Sequence, residues 1–287
     1  MKTFWKFTRP HTIIGSFISV TALYLLSVRS FEFSVTFYFA LLAALFCNIF
    51  ITGYNQLVDI ELDKVNKPYL PLASGEMSVK TGRIIVFSSL ILSIVISILT
   101  SFELFGLIGV ISFLGFIYSW KRIYLKRYHQ LAATAIILVR GILVNLGFYA
   151  FFSDSLEFPP EIWTLTFFVV LFSAGIAWFK DIPDMEGDAA DNIGSLAVLK
   201  GAKKTFAAGV WLIGSAYTLA AFAPLLFEFE LAKSGLIIFG HGLLGGTFLG
   251  FASRTNPSNK QAMKRFYMSF WVLFFLEYLL WVASFFI

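Results

Sequence analysis

The chain has 287 residues, of which 58% are hydrophobic and only 14% are charged, and its mean hydropathy is +0.80. Soluble domains carry about 25% charged residues, so this composition excludes an ordinary soluble protein and predicts an integral membrane protein. The net charge of +5 does not indicate nucleic-acid binding, because the basic residues lie in loops beside apolar segments. In such loops they set membrane orientation and meet anionic lipid or phosphate groups.

Apolar runs of membrane length follow one another along the chain and predict nine transmembrane helices in a single all-α domain, residues 1–287. The predicted spans are 11–28, 34–54, 84–101, 104–120, 130–152, 161–179, 206–226, 232–252 and 266–287. We therefore expect a multi-pass membrane protein with short loops.

The distribution of basic residues predicts the orientation of these spans. Of the 22 Lys and Arg residues, all but Arg29, Arg140 and Lys233 belong to the N-terminal segment or the even-numbered loops. The positive-inside rule then places the N-terminus and these loops in the cytoplasm and the C-terminus on the opposite side. The N-terminal residues show neither a cleavable signal nor a transit-peptide pattern, so we expect a bacterial inner membrane or a thylakoid-type membrane.

The first acidic motif closes the second apolar run. Asn55, Asp59 and Asp63 are spaced at i, i+4 and i+8, which predicts one shared face if the segment is helical. Like charges about 6 Å apart repel by roughly 3 kcal/mol at an effective dielectric near 20. A hard cation such as Mg²⁺ would convert this repulsion into coordination, and it commonly takes one or two carboxylates together with phosphate oxygens. Lys64, Lys67 and Lys80 follow as cations for anionic oxygens.

The second acidic motif closes the sixth apolar run on the same predicted side of the membrane. Asp181, Asp184 and Asp188 again repeat at steps of three and four, with Pro183 and Gly187 among them. Two such motifs facing each other predict two Mg²⁺ ions bridged by one diphosphate, which they would neutralise as a leaving group. A cation or phosphate transporter is the alternative from another class, but transporters usually place their key charges near the membrane midplane.

The stretches N-Q-x-x-D-x-x-x-D-x-x-N-K-P at 55–68 and K-D-x-x-D-x-x-G-D at 180–188 resemble the UbiA-type intramembrane prenyltransferases. The residues 67–76, the residues 5–12 and the pair Arg140-Gly141 with Asn145 are similar to the homogentisate branch of that family. Many relatives have Arg where this chain has Leu70, and that change favours the same branch. The resemblance implies a nine-helix bundle around a central apolar cavity.

The resemblance also implies the chemistry and its residues. It implies Mg²⁺-dependent transfer of a prenyl group from a prenyl diphosphate to a small aromatic acid, most simply homogentisate with loss of CO₂, in a protein surrounded by membrane lipid. Prenylation of 4-hydroxybenzoate and a chlorophyll-synthase-like reaction stay open as alternatives. The implied Mg²⁺ ligands are Asn55, Asp59, Asp63, Asp181, Asp184 and Asp188, and among these Asp59, Asp63, Asp184 and Asp188 are the expected catalytic residues. The expected diphosphate-binding residues are Arg9, Lys67, Tyr118, Lys126, Arg127 and Lys180.

Three further residues are candidates for binding the aromatic acceptor. Arg140 lies inside the fifth apolar run, where an arginine costs about 3 kcal/mol on insertion scales and usually faces the bundle interior. It could bind the carboxylate of the acceptor or a diphosphate oxygen, or form a structural pair with Asn145 or Glu277. His11 and Asn145 are the other two acceptor candidates.

Overall fold

The structure is a computed structural model that describes residues 1–287, and nearly all of its regular structure is helical. Nine helices have the length and apolar composition needed to cross a membrane, as the sequence predicts. They are α1 (Pro10–Val28), α2 (Val35–Val58), α3 (Val79–Thr100), α4 (Phe102–Ser119), α5 (His129–Ser153), α6 (Pro160–Asp181), α7 (Ala202–Leu226), α8 (Leu231–Ser253) and α9 (Lys260–Phe285). The protein is therefore an integral multi-pass membrane protein.

Several helices extend beyond the apolar runs at one end of the bundle. Helix α3 begins at Val79, five residues before the predicted start, and α9 begins six residues early at Lys260. The side chains of Ser78 and Asn259 cap these helices, because each accepts a hydrogen bond from a backbone amide of the first turn. Polar first turns thus stay helical outside the apolar stretch, and hydropathy alone does not mark their ends.

The nine helices form a closed ring of neighbours. Each of α5, α6, α7 and α8 packs against the next helix in sequence, α9 packs against α1, and α1 packs against α2. Helix α2 contacts both α3 and α4, and α4 closes the ring against α5. Helix α6 also contacts α9, and it is the most enclosed span, with 67% of its apolar window buried. Large apolar side chains such as Leu99 and Trp211 face outward, as expected of a surface that meets lipid.

Helix α5 departs from α-helical geometry in its middle. It begins as an α-helix at His129–Ile136, widens to a π-helix over Ile137–Gly147, and finishes as an α-helix at Phe148–Ser153. π-Helical segments are rare and often mark functional sites. The π segment contains Arg140 and Asn145.

Short helices gather at the end of the bundle where α2 and α6 finish. They are Lys2–Phe7, Ile60–Asn66, Pro71–Ser74, Leu125–Arg127, Met185–Ala190 and Leu196–Lys200. Pro71 begins its helix and Gly75 ends it in the left-handed region, with φ of 80°. Four of the predicted site residues lie in this layer of short helices, namely Asp63, Lys126, Arg127 and Asp188.

Candidate active site

A cavity with a volume of about 440 Å³ opens at this end of the bundle. Its wall brings together both acidic motifs, since all six predicted Mg²⁺ ligands line it. Only 8 of its 26 lining residues are hydrophobic, so the site itself is a charged chamber. The apolar walls belong to a smaller cavity deeper in the bundle, where 11 of 17 lining residues are hydrophobic. The charged side chains and the apolar walls therefore lie at different depths in the bundle.

The first acidic motif does not lie on one continuous helix, contrary to the prediction. Helix α2 ends at Val58, Asp59 leaves helical geometry at φ −106° and ψ 20°, and a second helix runs over Ile60–Asn66. The amide of Asp59 still donates to Asn55 at 3.0 Å, and the amide of Asp63 donates to Asp59 at 2.7 Å. These bonds continue the i→i+4 pattern across the break, and the three side chains still line the same cavity.

The second acidic motif spans a turn between two helices. Asp181 is the last residue of α6, and Asp184 caps the short helix that begins at Met185. Pro183 lies in the turn, where it has no amide hydrogen to leave unsatisfied. Asp188 follows one turn later, and all three carboxylates are buried with at most 8% of their surface exposed.

A side-chain clasp fixes the distance between the two motifs. The Asn66 side chain donates from Nδ2 to Asp188 at 3.3 Å, and its Oδ1 accepts from the Gly187 amide at 3.1 Å. Asn66 is 1% exposed, so these bonds are shielded from water. Residue 187 has to be a glycine, because an added Cβ would lie 2.4 Å from Asn66 Oδ1.

We expect Gly187→Ala to lower kcat/KM for prenyl transfer about 100-fold, because a displacement of about 1 Å in a catalytic group can have that effect. The measurement is steady-state kinetics of the purified variant in detergent. Gly246→Ala is the matched control, since no heavy atom lies within 4 Å of its added Cβ. Wild-type kinetics in the Gly187→Ala protein would show that the clasp does not set the geometry of the site.

Lysine ammonium groups are paired with carboxylates of both motifs. Lys126 pairs with Asp59, Lys67 pairs with Asp184, and Lys180 lies 2.5 Å from Asp181. Burial lowers the pKa of Lys126, against the opposing charge of Asp59. Burial also opposes the charge on Lys67, but Asp184 and Asp63 outweigh it and raise the pKa of that ammonium group. The cavity therefore holds alternating charges in the absence of any ligand.

The carboxylates are only partly neutralised by these lysines. Burial raises the pKa of the Asp63 carboxyl, although Lys67 and Arg9 oppose the shift, and Asp63 Oδ2 is buried with no hydrogen-bond partner. Burial and the neighbouring Asp181 charge raise the pKa of Asp188 to about 7. Unpaired buried oxygens of this kind are costly and suit a hard cation. No three carboxyl or imidazole groups converge as a preformed metal centre, because the lysines occupy the space between them.

Most of the predicted diphosphate-binding residues line the same cavity, together with one acceptor candidate. Lys67, Lys126 and Lys180 are joined there by Arg9, Tyr118 and His11. Arg9 has a left-handed backbone with φ of 53°, and its guanidinium lies 3.4 Å from Asn55 Oδ1 and 3.9 Å from Asp63. Such strain in a non-glycine residue is common at functional sites. The ring centroids of His11 and Trp271 lie 5.0 Å apart in an edge-to-face arrangement.

Arg127 is not brought to the cavity. It ends the 3₁₀ turn Leu125–Arg127, is exposed, and contacts the rest of the fold through its carbonyl, which accepts from the Gly194 amide at 2.9 Å. Neighbouring residues in this turn point in different directions, so Lys126 enters the cavity while Arg127 faces outward. The prediction that Arg127 binds diphosphate therefore has no geometric support.

Asn145 has a structural position rather than a ligand-binding one. Its Nδ2 donates to the carbonyls of Gly141 at 2.7 Å and Arg140 at 3.0 Å, and its Oδ1 accepts from the Tyr278 hydroxyl at 2.7 Å. These bonds satisfy carbonyls within the π-helix. Asn145 is 0% exposed, and both hydrogens of its amide group are used within the protein. Arg140 lines the deeper cavity and not the charged one.

The structure adds site residues that the sequence interpretation did not single out. The Tyr124 hydroxyl lies 3.2 Å from both Asp59 Oδ1 and Asp191 Oδ2, from a backbone with φ of 49°. Lys264 and Tyr267 reach the cavity from α9. Asn66 of the clasp is also such a residue, and its place inside the first motif could have indicated it from the sequence. The positions of Tyr124, Lys264 and Tyr267 depend on tertiary packing.

Comparison with known proteins gives a consistent result along the whole chain. The UbiA prenyltransferase family matches residues 16–275. A homogentisate phytyltransferase from Synechocystis sp. is 39% identical, with 98% of this chain and 94% of that protein covered. A homogentisate geranylgeranyltransferase from Hordeum vulgare is also 39% identical, with 98% of this chain and 72% of that protein covered.

Solved structures show the same fold at lower sequence identity. A UbiA homologue from Archaeoglobus fulgidus, bound to GPP and Mg²⁺, superposes with a TM-score of 0.69 at 18% identity, covering 98% of this chain and 99% of that one. A digeranylgeranylglyceryl phosphate synthase superposes with a TM-score of 0.68 at 22% identity, covering 99% of this chain and 98% of that one. The nine-helix all-α class is thereby confirmed.

Proposed function

Because the chain belongs to the UbiA prenyltransferase family, we propose that it transfers a prenyl group from a prenyl diphosphate to homogentisate in a Mg²⁺-dependent reaction. The observation that carries this proposal is the meeting of two acidic motifs and three lysines around one buried cavity. The curated relatives named above, at 39% identity, support homogentisate as the acceptor and a phytyl or geranylgeranyl group as the transferred chain.

The cavity residues divide into two roles. Asn55, Asp59 and Asp63 of the first motif would hold one divalent cation, and Asp181, Asp184 and Asp188 of the second motif would hold another. Bound Mg²⁺ supplies charge neutralisation that makes the diphosphate a better leaving group. The unpaired Asp63 oxygen and the buried Asp188 carboxyl fit this role. Lys67, Lys126, Lys180 and Arg9 donate to the diphosphate oxygens once those oxygens enter the cavity.

The same residues organise the bond changes. The allylic C–O bond breaks with its electron pair on the diphosphate, where the ammonium groups receive the developing charge. A ring carbon of the acceptor forms the new C–C bond and releases its proton, and the acetate side chain of homogentisate loses CO₂ and takes up a proton, so that it becomes a methyl group. The aromatic side chains of Tyr118, His11 and Tyr267 line the cavity wall and shield the electron-poor carbon. Enclosure by the bundle keeps water from capturing that carbon.

We further propose that the cavity opens to the cytoplasmic side of a bacterial inner or thylakoid-type membrane. The basic residues that predict this orientation lie at the same end of the bundle as the cavity, and Lys67, Lys126 and Lys180 are among them. The C-terminus after α9 then lies on the opposite side. The diphosphate enters from water while the prenyl chain stays in the apolar phase.

The function is tested by offering purified protein homogentisate with phytyl, geranylgeranyl and solanesyl diphosphates, and identifying products by mass. We expect a prenylated product that has lost one CO₂, formed with Mg²⁺ and not with EDTA. Parallel reactions with 4-hydroxybenzoate and a chlorophyllide test the alternative acceptors. Turnover with one of those and none with homogentisate would contradict the acceptor assignment, and ion flux without any turnover would favour a transporter.

A further inference from the structure

A second cavity lies deeper in the bundle, directly below the charged one. We call it the lower cavity; it has a volume of about 140 Å³ and is enclosed by α1, α2, α4, α5 and α9. Asn48 of its wall precedes Asn55 of the upper wall by two turns of α2, so the two cavities are offset by roughly 10 Å along the helix. Thr12 lines the lower cavity and its neighbour His11 lines the upper one, so the two spaces share a boundary.

Arg140 is the only charged residue in the wall of the lower cavity. Its guanidinium forms no ion pair and donates no hydrogen bond within the protein, and its Nε is buried without a partner. The group stacks over Trp271, with 4.7 Å to the ring centroid, and over Phe274 at 5.5 Å. Stacking leaves the in-plane N–H donors of the guanidinium free, so they can donate hydrogen bonds to a ligand in the cavity.

The other polar side chains in this wall already have hydrogen-bond partners within the protein. Thr12 donates to Asn48 Oδ1 at 3.0 Å, Asn48 donates to Ser16 at 2.7 Å, and the Tyr278 hydroxyl donates to Asn145. A prenyl chain in this space would leave the arginine unpaired in an apolar environment. The missing partner is therefore an anion, and a carboxylate matches the planar fork of the guanidinium.

The backbone around Arg140 fixes its position. The Asn145 side chain holds the carbonyls of Arg140 and Gly141 in the π-helix. Gly141 packs so closely on α6 that an added Cβ would lie 2.8 Å from Val170 Cγ2 and 3.0 Å from its Cα. The π-helix is thus held from two sides, and Asn145 acts as a positioning residue for the guanidinium.

We infer that the lower cavity binds the aromatic acceptor through its carboxylate, with Arg140 as the ion partner; this inference rests on the proposed function. A cavity of about 150 Å³ in another protein is known to hold a benzene ring, so the lower cavity has about the volume needed for one aromatic ring. The acceptor ring then lies between Arg140 and the diphosphate, with one edge toward His11. The ion pair selects aromatic acids over neutral phenols.

The test measures binding of homogentisate and of its neutral carboxamide to the full-length protein by thermal stabilisation, and the KM of each substrate in turnover. We expect the wild-type protein to bind the acid about 100-fold more tightly than the amide, and Arg140→Gln to remove that preference. The variant should raise KM for homogentisate by a similar factor and change KM for the prenyl diphosphate less than about threefold. Arg140→Lys keeps the charge without the fork and should retain a reduced preference for the acid. Arg122→Gln, at an exposed site, is the control.

The outcomes separate this inference from the proposed function. Absence of turnover with homogentisate in the wild-type protein would contradict the proposed function, while the acid-over-amide preference would still report on Arg140. Equal binding of acid and amide by the wild-type protein, or an undiminished preference in Arg140→Gln, would overturn the carboxylate site. A raised KM for the diphosphate substrate alone would assign the lower cavity to the prenyl chain instead.

Discussion

Asp59→Asn is expected to lower kcat/KM for Mg²⁺-dependent prenyl transfer by at least about 10³-fold. The buried Asp59 carboxylate accepts a hydrogen bond from Asn55 at 2.7 Å and pairs with Lys126. It therefore lies between a proposed Mg²⁺ ligand, Asn55, and a proposed diphosphate-binding residue, Lys126. Asparagine keeps the shape and removes the charge, which isolates the electrostatic role. Loss of one electrostatic contact to a transition state commonly lowers kcat about 10²–10³-fold, and loss of a cation ligand adds to this.

The measurement is product formation at several Mg²⁺ concentrations, with folding checked by size-exclusion chromatography and thermal unfolding. Asp184→Asn, in the second motif, should behave in the same way. Glu186→Gln is the matched control, because Glu186 belongs to the second motif but its side chain is 81% exposed. Comparable activity in Asp59→Asn and Glu186→Gln would show that the first motif does not act in the reaction.

Lys67→Met is expected to raise KM for the prenyl diphosphate about 100-fold. The Lys67 ammonium group forms ion pairs with both motifs, since it pairs with Asp184 and lies 3.8 Å from Asp63. Removal of one partner from a partly buried charge pair typically costs about 2–5 kcal/mol in binding. KM for the acceptor should change little, because the acceptor carboxylate is assigned to the lower cavity.

A stability measurement gives Lys67→Met a second readout. Without divalent cations the variant leaves Asp63 and Asp184 to repel each other, so its Tm in EDTA should fall below that of the wild type. Mg²⁺ takes over the neutralising role, and it should therefore raise the Tm of the variant more than that of the wild type. Lys64→Met is the control, since Lys64 lies on the same short helix but pairs with the exposed Glu61. An equal rise in Tm with Mg²⁺ for Lys67→Met and the wild type would contradict the idea that Mg²⁺ and the Lys67 ammonium neutralise the same carboxylates.

The fold could be predicted from the sequence because apolar length is a strong constraint in a membrane. Each of the nine apolar runs became a helix, and the errors lie at the ends. At Val79 and Lys260 the helix extends into polar residues, whose caps stabilise a first turn that hydropathy does not detect. The π-helix in α5 was not predictable, because it depends on Asn145 satisfying carbonyls and on Gly141 packing against α6.

The acidic motifs were predictable, and their exact geometry was not. The loop charges place both motifs on one side of the membrane, and the six predicted ligands do line one cavity. The clasp from Asn66 to Gly187 joins residues more than 120 positions apart, which periodicity does not encode. The break at Asp59 is not marked by the spacing either. Lys126 and Arg127 are adjacent and chemically alike, yet only Lys126 enters the cavity. Side-chain direction in a short turn is set by tertiary packing.

The most direct measurement is a structure of the full chain with Mn²⁺ and an unreactive prenyl thiodiphosphate, in which anomalous scattering locates the cations. We expect cations between the two acidic motifs, one beside Asp59 and Asp63 and one beside Asp184 and Asp188, with the diphosphate between them and Lys67 and Lys126 on its oxygens. Cations or diphosphate bound away from these carboxylates would contradict it.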